Sequence, residues 1–381
     1  MTTAAPRRTP LDAVHRALGA RLIEFAGYEM PVRYASELEE HRAVRQAVGL
    51  FDLSHMGEIR LGGPDALTFV RRVVVSDPAT LEPGQAQYSM LCASDGGVID
   101  DVIVYRIDEG YLVVCNAANR DAVVGQLRSV AADGEESVSI EDESDATALI
   151  APQGPRAAEL LAGLTDVDLG ALRNYRSAAG RVAGIPCLVA RTGYTGEDGF
   201  ELFCDAEDAV AVWEAVAAAG QPFGLRPCGL ASRDTLRLEA GMPLYGNELG
   251  RDVNPYEANL GRVVKLDKGP FVGREALAEV AATGPRRRLI GLVMRDEGIA
   301  RHAYPVVVGE GGDAADEVVG TVTSGSLSPT LGDRIAMAFV RADLAEAEDP
   351  LAVIIRDRHC RAERVKLPFY RRPRPAEESP T

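Results

Sequence analysis

From residue 285 onward the sequence loses helical periodicity and breaks into short β-branched runs at 289–294, 304–308, 318–323, 335–340 and 351–355, each bounded by Gly, Asp or Pro. Runs of that length between turn formers read as strands of an all-β sandwich or barrel. Helix-like and strand-like stretches alternate before that point, so the chain carries two different folding patterns. With 381 residues it is also too long for one core to keep growing. Two or three domains are expected.

In the first part, apolar spacing predicts helices over 11–22 and 37–48, and Pro64 after Gly62-Gly63 marks the start of another running to residue 73. Residues 25–31 hold the Gly and Pro that break the first pattern. The runs 102–105 and 111–114 predict antiparallel strands, followed by a helix over 119–129. A new pattern begins with a strand at 147–150, a turn at Pro152-Gln153-Gly154-Pro155 and a helix ending at Leu161. A helix capped by Asp205 then runs through Trp213 to Ala219.

Composition removes several functions. A net charge of −16 and a pI near 4.9 argue against a duplex nucleic-acid binder, which needs a basic face to displace counterions from phosphates. No apolar run approaches the roughly 20 residues that cross a bilayer, and the N-terminus lacks a signal-peptide apolar region. The six cysteines show no C-x-x-C spacing and read as buried, reduced thiols of a cytoplasmic protein. The five histidines match no metal-ligand spacing, and neither a serine elbow nor a P-loop is present. Gly309-Glu310-Gly311-Gly312-Asp313-Ala314 fits a dinucleotide pattern in form, but no helix pattern follows and its acids would repel phosphate, so it reads as a hairpin turn.

The remaining chemistry rests on carboxylates, amides and arginines. Four segments concentrate Gly, aromatic and charged residues: 51–58 (Phe-Asp-Leu-Ser-His-Met-Gly-Glu), 87–101, 191–201 and 231–241. Turn chemistry alone explains each of them taken singly. Together they describe a site with aromatic walls and both signs of charge. Asp100 and Asp101, adjacent at a strand entry after Gly96-Gly97, place one carboxylate on each sheet face, so one of the two turns inward. Tyr88, Tyr105 and Tyr194 supply rings able to sandwich a flat heterocycle. Glu201 accepts and Arg233 donates, which suits a ring with a donor-rich and an acceptor-rich edge, such as a pterin.

At these residues the sequence resembles the aminomethyltransferase (T protein) family of the glycine cleavage system. The likeness runs from Thr9-Pro10-Leu11 to Lys366-Leu367-Pro368-Phe369-Tyr370 and is most specific at 51–58, 193–201, 233–246 and 323–332. It implies an α+β fold: a three-domain cloverleaf around a central folate channel, with two mixed α/β domains carrying antiparallel sheets and a C-terminal barrel-like β domain. The domains are drawn as 1–55 with 145–284, 56–144 and 285–372, followed by a disordered tail at 373–381. The resemblance further implies that Asp101 is catalytic and sits beside the reactive nitrogens of tetrahydrofolate, and that Glu201 and Arg233 hold the pterin. It places Met56, Tyr88, Tyr105, Asn116 and Tyr194 along the channel, Tyr105 by strand alternation from Asp101. The implied partner is the lipoylated H protein, with no nucleic acid and no membrane. Asn174-Tyr175 stands where some relatives carry an aromatic pair, and Arg371-Arg372 falls near a family folate contact. A stand-alone folate-dependent demethylase is the alternative enzyme, and a non-catalytic folate binder, expected to lack one of Asp101, Glu201 and Arg233, is the alternative of another class.

Overall fold

The computed structural model describes residues 5–309 and 317–373. Most of the turn expected at 309–314 and nearly all of the tail expected at 373–381 lie outside the described residues.

A six-stranded sheet runs in the order Ser177–Val182, Ile185–Ala190, Glu201–Asp205, Thr147–Gln153, Gly49–Asp52 and Arg226–Pro227. Two of its adjacent strands, Thr147–Gln153 and Gly49–Asp52, come from opposite ends of the intervening 57–142 block. That block forms its own antiparallel five-stranded sheet, ordered Ala86–Cys92, Val98–Ile107, Gly110–Cys115, Gly57–Gly62 and Ser139–Asp142. Alternation then decides what each sheet face meets. Val102, Val104, Val113 and Cys115 pack with Ile59 and Leu61 against the helices Ala66–Val73 and Arg120–Ala132. The opposite face, with Ile103, Tyr105, Leu112 and Val114, meets Phe51, Leu53, Leu149 and Phe203 of the six-stranded sheet. The two sheets thus share a seam.

The C-terminal β runs form a closed antiparallel barrel of six strands: Arg287–Met294, Arg334–Arg341, Val318–Leu327, Pro305–Val308, Leu351–Ile355 and Arg358–Val365. Its last strand pairs back onto the first, from Gly291↔Val365 to Met294↔Ala362. Leu289, Val293, Met337 and Phe339 of the barrel pack with Met90, Leu238 and Leu249, so the barrel abuts the same seam.

Two local expectations are corrected. The helix expected over 11–22 ends at Ala17, because Gly19 adopts φ +72, a left-handed conformation that closes the turn. The residues after it form the hairpin Arg21–Phe25 and Tyr28–Arg33, and a bulge between Arg21 and Leu22 accommodates Pro31 opposite. The helix expected from Asp205 starts later, at Ala209, after a 3-10 turn that the Asp205 side chain does not cap.

Candidate active site

A cavity of about 580 Å³ opens at the seam between the two sheets. The five-stranded sheet contributes Tyr88, Asp101, Ile103 and Val114, and the loop after it contributes Asn116 to Asn119. Opposite stand Leu53, His55, Met56, Leu149, Thr192 to Tyr194 and Glu201. The helix Leu230–Glu239 supplies Arg233, and the turn after it supplies Met242 to Tyr245.

Asp100 and Asp101 fall on opposite faces of the Val98–Ile107 strand, as alternation requires, Asp100 fully buried and Asp101 half-buried. Asp101 faces the cavity. It accepts from the Tyr88 hydroxyl at 3.1 Å and from Asn116 Nδ2 at 2.9 Å. Asp100 lies on the helix-facing side, where it accepts from Asn116 N and Nδ2, both at 2.8 Å, and from Asn119 Nδ2 at 2.6 Å. Burial pushes both carboxyls above the usual carboxylate range, and the neighbouring Asp101 charge raises Asp100 further. The Tyr88 and Asn116 donors oppose that rise at Asp101. The result is a carboxylate that can hold its charge but releases a proton less readily than a free one.

Glu201 accepts from the hydroxyls of Thr192 and Tyr105, the latter at 3.2 Å. Arg233 stacks over the Tyr194 ring at 4.8 Å, and Tyr194 is fixed in turn by donating to the Pro243 carbonyl. Among the described residues no acceptor hydrogen-bonds the Arg233 guanidinium, and burial lowers its affinity for the proton. A half-buried guanidinium without a hydrogen-bond acceptor is costly unless something else in the cavity receives its donors. Its fixed fork matches an acceptor-rich edge.

The structure brings together Met56, Tyr88, Asp101, Asn116, Tyr194, Glu201 and Arg233 on one cavity wall system. Tyr105 is corrected: it is fully buried behind the wall, with its hydroxyl on Thr192 at 3.0 Å and on Glu201. It braces Glu201 and does not line the cavity. Tyr175 does line it, held at φ 58, although it occupies the position where the aromatic pair is interrupted. Thr192 and His55 were not anticipated as site residues; a hydroxyl one position before Gly193-Tyr194 and a histidine one position before Met56 were the available signals. Arg371 and Arg372 stay off the cavity, with Arg372 paired to Asp198 at 3.3 Å.

Beside the cavity, Glu239 ties three parts of the chain together. It accepts from Ser328 Oγ and from Thr330 N and Oγ1 of the barrel, and pairs with Arg45 at 2.8 Å and His41 at 3.2 Å. Arg45 continues to Glu197 and the Thr195 carbonyl, and stacks on Tyr370 at 4.1 Å.

Residues 11–268 match the family described as GCVT N-terminal domain, and residues 287–371 match the glycine cleavage T-protein C-terminal barrel domain. The chain is 53% identical over 378 residues to an aminomethyltransferase of Streptomyces avermitilis, covering 98% of this chain and 100% of that one. It is equally similar, over the same shares, to an aminomethyltransferase of Streptomyces coelicolor. The crystal structure of the glycine cleavage system aminomethyltransferase T from Bartonella henselae superposes with a TM-score of 0.87 at 32% identity, over 96% of this chain and 98% of that one. Fold and sequence together make the chain a transferase enzyme. It belongs to the aminomethyltransferase family of the glycine cleavage system, the T proteins.

Proposed function

We propose that the enzyme takes the aminomethyl group carried on the lipoyl arm of the H protein and passes its methylene to tetrahydrofolate. The products are 5,10-methylenetetrahydrofolate, ammonia and the dihydrolipoyl H protein. The reading is supported most by one observation: Asp101, held by Tyr88 and Asn116, shares a cavity with Glu201 and with Arg233, whose guanidinium finds no hydrogen-bond acceptor among the described residues. The cavity fits a flat ring with unlike edges, because Glu201 offers an acceptor and Arg233 a donor fork between aromatic walls. Tetrahydrofolate supplies the two amine nitrogens that receive the methylene, and their two protons leave with ammonia and the thiol.

In this mechanism Glu201 accepts from the N–H edge of the pterin and Arg233 donates to its acceptor edge. Met56, Tyr175 and Tyr194 exclude water from the ring faces. Asp101 positions the reacting nitrogen, stabilises positive charge as it develops, and accepts a proton at its carboxylate. Asn116 and Tyr88 keep that carboxylate aimed.

We place the enzyme in the cytoplasm; all six cysteines are buried free thiols, which suits a reducing compartment. Among the described residues no helix is long and apolar enough to cross a membrane.

The decisive assay mixes purified enzyme, aminomethylated lipoyl-H protein and tetrahydrofolate, and follows ammonia release together with methylene transfer. Both products are expected in equal amounts. Folate binding without transfer overturns the proposal in favour of a demethylase or a non-catalytic folate binder.

A further inference from the structure

Three histidines of the chain are buried in or between its cores, and two of them are fully satisfied. His15 meets Asp52 through Nε2 and the Tyr34 hydroxyl through Nδ1, each at 2.8 Å. His41 meets Thr235 through Nδ1 at 2.8 Å and Thr330 through Nε2 at 2.9 Å. His55 differs. It is 3% exposed, and its Nδ1 is buried with no partner. What orients the ring is edge-on packing against Phe25 (5.7 Å, 78°) and Tyr28 (6.4 Å, 64°), contacts that use no hydrogen bond.

The ring lines the cavity, on the same wall system as Arg233. We propose that His55 is a ligand-binding residue whose Nε2–H donates to an acceptor atom of the cavity occupant, next to the Arg233 guanidinium. The proposal rests on the folate reading and adds to it a second donor for the same acceptor-rich edge.

The tautomer follows from the orphaned nitrogen. A buried lone pair without a donor is tolerated better than a buried N–H without an acceptor, so the proton sits on Nε2 and Nδ1 carries the lone pair. Burial, reinforced by the Arg233 charge, pushes the imidazolium down to about 4, so the ring is neutral at physiological pH. A neutral donor beside a guanidinium extends the row of donors without adding a second repelling charge. The chemistry selected is therefore a planar ligand with two neighbouring acceptors, carbonyl oxygen or ring nitrogen.

Calorimetric titration with tetrahydrofolate of the wild-type enzyme, His55→Phe and His55→Gln tests the proposal. His55→Phe keeps the ring shape and removes both nitrogens; its affinity is expected to fall about tenfold, as for one lost hydrogen bond. His55→Gln restores a donor and is expected to recover most of that loss. The melting temperature of His55→Phe is expected to hold or rise, which a merely structural histidine would not allow. Independently of any variant, wild-type enzyme with ¹⁵N-labelled histidine is expected to show a neutral Nε2–H tautomer whose Nε2 resonance moves when tetrahydrofolate is added. Equal affinity of wild type and His55→Phe, a His55→Gln as weak as His55→Phe, or an unmoved Nε2 resonance overturns the role of His55 alone. Wild-type enzyme that does not bind tetrahydrofolate overturns the folate reading, and this inference with it.

Discussion

Asp100 and Asp101, adjacent on one strand and pointing to opposite faces of the sheet, are joined through a single amide: Asn116 Nδ2 lies 2.8 Å from Asp100 Oδ1 and 2.9 Å from Asp101 Oδ1. The carboxylate away from the cavity thereby aims the donor that holds the carboxylate facing it. Asp100 is a positioning residue in this scheme, and the two acids titrate as a pair.

Asp100→Asn removes the like charge from that pair. Asp101 ionises below Asp100, so the Asp100 charge does not raise it, and the acid limb of the pH profile of kcat/KM is expected to stay in place while the maximum falls, because Asn116 loses a charged acceptor. An unchanged maximum would show that Asp100 does not aim Asn116.

Asp101→Asn is expected to lower turnover by about 10²- to 10⁴-fold, the range for a lost acid–base group, with tetrahydrofolate binding largely kept. Stability should go the other way. Both carboxyls are raised in the folded state, so the fold binds their protons more tightly than the unfolded chain, and stability drops as pH rises from the unfolded value of about 3.9. Thermal melts across pH 4 to 7 are expected to show wild type losing ground to Asp101→Asn as pH increases.

Arg233→Met tests whether the guanidinium is kept for the ligand. Among the described residues no acceptor hydrogen-bonds it and its contact is the face of the Tyr194 ring, so affinity for tetrahydrofolate is expected to fall about 10- to 100-fold, as for a charged hydrogen bond, while the melting temperature holds or rises. A large drop in melting temperature would instead mark Arg233 as structural.

Glu239→Gln strikes the tie between barrel and seam and is expected to cost about 3–5 kcal/mol in guanidinium denaturation at neutral pH, as when a buried ion pair loses one partner. Burial works against the Glu239 charge, but hydrogen bonds from His41 and Ser328 and the Arg45 charge outweigh it and hold the carboxyl down at about 2. Its stabilisation is therefore complete above the unfolded value of about 4.3 and lost as pH falls through about 2. The gap between variant and wild type should close over that interval.

Periodicity made much of this legible. The strands through Asp101, the helices around them and five of the six barrel strands all follow from apolar spacing. The sixth, Arg358–Val365, escaped because Arg and Glu alternate with the inward Cys360 and Ala362, and the charges on its outer face mask the pattern. Alternation also put Tyr105 on the same face as Asp101, which is correct, but it gives the face and not the depth; four residues further along, the strand has passed beneath Glu201. His55 was invisible for another reason. A sequence shows which side chains are polar, whereas only the fold shows which of them have been left without a partner.

The pairing of Gly49–Asp52 with Thr147–Gln153 has a consequence for biosynthesis. A ribosome has already delivered Met56 and Asp101 when it starts on the strands that carry Glu201, and Arg233 emerges later still. Even then Glu239 waits for Ser328, Thr330 and the backbone N–H of Tyr370, which its carbonyl accepts at 2.8 Å. A message cut short before the barrel thus yields a polypeptide with every proposed site residue and no clamp to hold them in register.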